Sequence, residues 1–307
     1  MAPTLPVRLM IVGAPKAGTT ALKYYLGQHP GVCTHSQREM QFFANDERYG
    51  RGYEAVYPMY FRPKSQAQVI CGKSVAMMYS AEAMARLQRH NPDVHVVVLL
   101  RNPVDRAYSE FWYARRRGWE PLSSFEAAIA DDGSRFGRDA ARRFRCSYLE
   151  RSSYAPYLEA ILRQFAREQV HVILLEDLAA DAVGVCQSLL RLFPELDPNV
   201  VPSVDRRKNA AALPRSKRVL ALTSSRDVAP RLRSVLARIL PERIRHSVKD
   251  AIQRVNEREV RLPALDPATR LQLNEYFLKR NRALANLLGR DLSHWYQVGL
   301  QGAAQRV

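Results

Sequence analysis

Along this chain, apolar residues collect in short unbroken runs that each end at a glycine or a polar residue and give way to a helical pattern. Residues 7–12 (VRLMIV) stop at Gly13, and helical spacing occupies about 19–28. The arrangement recurs at 95–100 (HVVVLL), which ends at Arg101-Asn102-Pro103 ahead of a helix expected over 104–117. A third run, 171–175 (HVILL), ends at Glu176-Asp177 before an apolar-periodic segment over 178–192. Strands this apolar are covered on both faces, so the pattern predicts an α/β fold with a central parallel sheet flanked by crossover helices. Residues 69–71 form a further strand candidate, and 152–165 a helix with Ser152 or Ser153 as its N-cap.

The later part of the chain reads as helical. From Arg215 onward it is rich in arginine, and Leu232, Val235, Leu236, Ile239 and Leu240 fall at the i, i+3, i+4, i+7 and i+8 positions of an amphipathic stripe. The expectation is a helical basic insertion over 215–262 inside a single domain spanning 1–307. A helix over 267–288, followed by Asp291-Leu292-Ser293-His294-Trp295, would bring the chain back onto the core.

Composition narrows the class. With 307 residues, 47% hydrophobic and 25% charged, the chain can bury a sizeable core and is neither disordered nor collagen-like. A net charge of +17 attracts anions in general, from nucleotides to acidic glycans and nucleic acid. Cys33, Cys71, Cys146 and Cys186 show no CxxC pairing and no metal-ligand spacing with histidine, which suits free thiols in a reducing compartment. No charged segment followed by an apolar leader opens the sequence, and no run approaches the roughly 20 residues of a membrane helix. A cytoplasmic protein without a membrane span is expected.

Chemistry first shows at Gly13-Ala14-Pro15-Lys16-Ala17-Gly18-Thr19-Thr20, where a strand ends and a helix begins. Free backbone N–H groups and the positive end of the helix dipole make such a turn a phosphate site. The two glycines have Walker A spacing, but Thr19 stands where that motif has lysine, and the basic residue, Lys16, lies inside the loop. From there Lys16 would reach over a bound anion. At the end of the second apolar strand, where a P-loop kinase or GTPase places an acidic magnesium ligand, this chain has Arg101. Arginine cannot hold a metal, but its fork of donors suits a phosphate. Ser109, eight residues on, is placed to complete the same site, and Arg106, one turn before it, either assists or faces solvent.

These two elements resemble the PAPS-dependent sulfotransferases (PAPS is 3′-phosphoadenosine 5′-phosphosulfate). APKAGTTAL (14–22) resembles their 5′-phosphosulfate loop and LRNPVDRAYSEF (100–111) their 3′-phosphate element. REMQFF (38–43) and RSSY (151–154) are similar to segments of the heparan sulfate N- and O-sulfotransferase branch, and NAAALPRS (209–216) to a nucleotide-contacting loop of bacterial members. The resemblance implies a P-loop-like nucleotide-binding fold and PAPS as co-substrate, with adenosine 3′,5′-bisphosphate as product and no metal. It implies that Pro15, Lys16, Ala17, Gly18, Thr19, Thr20, Arg101, Ser109, Tyr154 and Arg215 bind the donor, and that Lys16 and Lys73 lie close to the transferred group. The acceptor must also lose a proton, and the resemblance gives that task to Glu39, with His35 as the rival base. Lys73-Ser74 matches an E-K-[ST] segment of the branch, although Gly72 stands where the branch has glutamate. Ser152 as a helix cap and Tyr154 as a core residue are equally economical readings.

The acceptor would be a small molecule or a carbohydrate, through a hydroxyl or an amine; nucleic acid is not expected, and the oligomeric state is open. Two alternatives compete. A P-loop ATP-dependent kinase draws support from Glu176-Asp177 at a strand end, and a non-enzymatic polyanion binder from the arginines of 206–258.

Overall fold

The apolar runs become the inner strands of a parallel sheet. The computed structural model describes residues 4–62, 66–200, 203–204, 212–214, 257–259 and 262–297. Its first elements are β1 (Val7–Gly13), α1 (Thr19–Leu26), β2 (Val32–Thr34), α2 (Asp46–Gly50), α3 (Tyr53–Tyr60), β3 (Val69–Lys73), α4 (Ala81–His90), β4 (His95–Leu100) and α5 (Pro103–Arg116). Next come α6 (Phe125–Ala130), α7 (Ala140–Cys146), α8 (Ala155–Gln164), β5 (Val170–Leu174), α9 (Leu175–Ala180) and α10 (Ala182–Leu190). The described residues end with β6 (Ala212–Pro214), β7 (Glu257–Glu259), α11 (Pro267–Arg280) and α12 (Arg282–Leu288).

The five long-range strands pair in the order β2-β3-β1-β4-β5, all parallel. β1 therefore lies at the centre, and Met10, Ile11, Val12, Val96, Val97 and Val98 are wholly buried, which is why these strands read as unbroken apolar runs. Order reverses around β1, so the carboxyl ends of β1, β3 and β4 form the topological switch point, where α/β sheets bind ligands.

Chain contacts divide the molecule into two units, one of residues 1–106, 153–208 and 273–307, the other of 107–152 and 209–272. The first holds the sheet and a continuous core to which Leu284, Leu292 and Trp295 contribute, so the segment after α12 does return to the core. The second packs Phe111, Phe125 and Tyr148 ring to ring, and buries Glu120 as acceptor of the Tyr148 hydroxyl at 2.8 Å and of Arg135. All four cysteines are free and buried.

Helix limits depart from the sequence pattern where a polar side chain interrupts it. The expected 178–192 helix is two helices meeting at Asp181, whose carboxylate accepts from Gly184 N–H at 2.8 Å and caps α10. The expected 267–288 helix breaks at Asn281, whose amide oxygen accepts from Tyr154 N–H at 2.8 Å. The helix after Arg151 starts only at Ala155, and Ser152 donates its hydroxyl to Tyr148 O at 2.8 Å rather than capping it. Within the expected helical insertion, Glu257–Glu259 is instead a strand, antiparallel to Ala212–Pro214. Arg215 and the apolar stripe 232–240 lie outside the described residues.

Candidate active site

At the end of β1 the chain turns sharply, because Ala14 N–H donates to Leu99 O of β4 at 2.6 Å. Two left-handed residues follow, Lys16 at φ 67° and Gly18 at φ 90°. A side chain at Gly18 would be strained by the left-handed φ, and its Cβ would lie 2.9 Å from Leu175 Cδ1. Lys16 has no such freedom, and the left-handed conformation costs an L-residue about 1–2 kcal/mol, a strain that proteins keep at binding loops. α1 begins at Thr19 without a side-chain cap and without an acidic residue in its first turn, so its leading N–H groups face an anion-sized need. Within this octet Pro15, Ala17 and Thr19 are buried, Lys16 is half-buried and Thr20 is exposed.

Arg101 follows β4 on the adjacent strand end. Its Nη1 donates to Lys16 O at 3.4 Å, so the guanidinium borders the loop that carries Lys16. The backbone of Arg101 is fixed from below, since the Tyr154 hydroxyl donates to Arg101 O at 2.8 Å. Tyr154 is fully buried, and burial raises its phenol pKa, keeping it a neutral donor. Next to it, Asn102 caps α5 by accepting from Val104 N–H at 3.0 Å and donates to Trp295 O. Arg106 does not face solvent; it is wholly buried. Ser109 is half-buried on the part of α5 that belongs to the second unit, and Arg215 is outside the described residues.

On the other side of β1, β3 ends in Lys73, in register with Ile11, and Ser74 N–H donates to Ile11 O at 2.9 Å. Lys73 is 1% exposed. Its Nζ donates to Glu39 Oε1 at 2.5 Å and to Arg38 O at 3.1 Å, and Val75 N–H donates to Glu39 Oε2 at 3.0 Å. Glu39 is thus a half-buried, oriented carboxylate rather than a loose loop residue. Burial pulls the Lys73 ammonium below its ordinary range, against the opposing attraction of Glu39. His35, the rival base, is buried; its Nε2 accepts from Lys73 N–H at 3.1 Å. Burial first, then Lys23 and Lys73, hold its pKa well below the usual imidazole value, so it is neutral. Gly72 has a packing reason as well, since a Cβ there would sit 2.5 Å from Met10 Sδ and 3.0 Å from Met40 Sδ. A side chain at this position would have to displace Met10 and Met40.

The structure therefore brings Lys16 and Arg101 together, and separately Glu39, Lys73 and His35, at neighbouring strand ends. Sequence reasoning missed Lys23. Lys23 Nζ donates to His35 O at 2.9 Å and Gln37 O at 3.1 Å, and burial followed by the nearby Lys73 brings its pKa down to about 8. No local pattern marks it, because its partners lie on a separate segment of the chain. Glu176 and Asp177, which supported a kinase, are engaged otherwise: Glu176 accepts from Trp295 Nε1 at 2.6 Å, and Asp177 pairs with both Arg290 nitrogens at 2.5 and 2.7 Å.

Residues 6–201 match the sulfotransferase domain family. The chain belongs to that family. Among sulfotransferases it is similar to human heparan sulfate glucosamine 3-O-sulfotransferase 5, with 29% identity over 200 residues covering 63% of this chain and 54% of that protein. It is also similar to human bifunctional heparan sulfate N-deacetylase/N-sulfotransferase 1, at 28% identity over 66% of this chain and 24% of that protein. The chain thus spans about half of the first relative's length and about a quarter of the second's. A sulfotransferase from Alicyclobacillus acidocaldarius shares the fold, with a TM-score of 0.68 at 24% identity, covering 96% of this chain and 100% of that one. The P-loop-like fold that the resemblance implied agrees with this.

Proposed function

We propose that this sulfotransferase moves the sulfuryl group of PAPS to a hydroxyl or amine of its acceptor, with Glu39 as general base and no metal taking part. The observation that supports the reading is the bond from Arg101 Nη1 to the Lys16 carbonyl, which sets the Arg101 guanidinium against the loop that carries Lys16. A donor carrying phosphate at two positions of its ribose needs two such anchors, and Arg101 and Lys16 with the α1 N–H groups supply them.

Sulfuryl transfer is a loose in-line displacement in which the protein positions the partners and stabilises the leaving charge. The acceptor oxygen or nitrogen forms its bond to sulfur as the bond from sulfur to the 5′-phosphate oxygen breaks, and the electron pair leaves on that oxygen. Lys16 and the loop amides stabilise this charge. Glu39 takes the acceptor proton, and Lys73, through its ion pair, keeps the carboxylate aimed. The relatives are named for action on heparan sulfate, so amino sugars and their hydroxyls are the acceptors to try first. Transfer of radiolabelled sulfate from PAPS, assayed with chelator over a panel of metabolites and oligosaccharides, tests the reading. Label in any acceptor upholds it; turnover that needs magnesium and ATP overturns it.

A further inference from the structure

We propose that Lys23 is a positioning residue that ties the helix of the donor loop to the segment bearing the general base. This rests on the reading of Glu39 as base. Residues 35–40 follow β2 and are gripped from two sides by ammonium groups. From α1, Lys23 Nζ holds His35 O at 2.9 Å and Gln37 O at 3.1 Å. From β3, Lys73 Nζ holds Arg38 O at 3.1 Å, Lys73 N–H reaches His35 Nε2 at 3.1 Å, and Lys73 O accepts from Met40 N–H at 2.7 Å. α3 secures the segment's far edge, where Ser36 N–H donates to Tyr60 O at 3.0 Å and Gln37 Nε2 to Met59 O at 3.2 Å.

Only Lys23, among these, comes from the helix whose first turn opens the donor loop, one turn after Thr19. The position of α1 is therefore tied to the backbone next to Glu39 through two charge-assisted bonds. The groups that act on Lys23 are Lys73, which repels it, and Glu39, which favours its charge; burial keeps the nearby Cys71 thiol and His35 imidazole neutral. The Lys23 ammonium is whole below about pH 8 and loses its charge above it, which weakens both bonds. The sign is an alkaline loss of rate.

The test compares wild type with Lys23→Met and Lys23→Arg in the full chain. Lys23→Met is expected to lower kcat for sulfate transfer about 10- to 100-fold while changing affinity for adenosine 3′,5′-bisphosphate by less than about twofold. Wild-type kcat should fall as pH rises through about 8, and Lys23→Arg, which keeps its charge, should move that limb upward. Hydrogen exchange at residues 35–40 should quicken in Lys23→Met. An unchanged kcat, an alkaline limb that Lys23→Arg leaves in place, or a loss of nucleotide affinity matching the loss of kcat overturns the proposal. Lys23→Gln replaces Lys23→Met if the latter does not fold. Should wild type transfer no sulfate from PAPS, the functional reading fails by itself, and the exchange comparison still decides whether Lys23 holds this segment.

Discussion

Two loops at neighbouring strand ends are built in different ways. The loop after β1 is made mostly of backbone: left-handed Lys16 and Gly18, uncapped amides at the start of α1, and Ala14 bonded to Leu99. The region at the end of β3 is made of side chains, with Glu39 held by Lys73 and the Val75 amide, and the surrounding carbonyls held by Lys23. A backbone site is set by conformation and keeps its shape when one side chain is trimmed. A side-chain site depends on buried partners, so one substitution can disorient the group that does the chemistry.

That contrast can be broken or sharpened by substitution. The largest effect is expected for Glu39→Gln, which keeps the shape but removes the proton acceptor and should lower kcat for sulfate transfer by about 10²–10⁴ with donor affinity little changed. An active Glu39→Gln variant would remove the base assignment. Lys16→Ala should cost about 10²–10³ in kcat by taking away charge stabilisation at the leaving oxygen, while the α1 amides retain part of the donor affinity. For Arg101→Ala the loss should fall on donor binding, about 1.5–3 kcal/mol by calorimetry with adenosine 3′,5′-bisphosphate. Tyr154→Phe removes only the bond that fixes Arg101 O, and a loss of about 1 kcal/mol in thermal stability is expected, with weaker nucleotide binding.

The smallest effect belongs to the clasp between Asp177 and Arg290. The pair is partly exposed, so Asp177→Asn should cost no more than about 1 kcal/mol in thermal unfolding. Hydrogen bonding to Arg290 lowers the Asp177 pKa. Its contribution is therefore present above the unfolded value of about 4 and is lost as pH falls below it.

The same contrast explains what the sequence made legible. The donor loop lies in one octet, and β1 and β4 are unbroken apolar runs, so strand, loop, helix and the placing of Arg101 were readable from local pattern. β2 was not, because three residues carry no periodicity. Glu39 and Lys73 were singled out by resemblance, yet their ion pair, the neutral His35 beneath it and the grip of Lys23 join residues far apart in the chain. Tyr154 showed the same limit: the motif marked it, while only the structure gave its hydroxyl to the Arg101 carbonyl. Asp181 and Asn281 broke helices that periodicity ran together, since a capping carboxylate or amide is decided by its tertiary partner.

The central claim, that Lys16 and Arg101 anchor a doubly phosphorylated adenosine without a divalent ion, is tested most directly by calorimetric titration of adenosine 3′,5′-bisphosphate in the presence of a chelator. Tight binding by wild type, weakened about 10- to 100-fold by Arg101→Ala, is the expected result. Binding that appears only when magnesium is added, or that Arg101→Ala leaves unchanged, would contradict it.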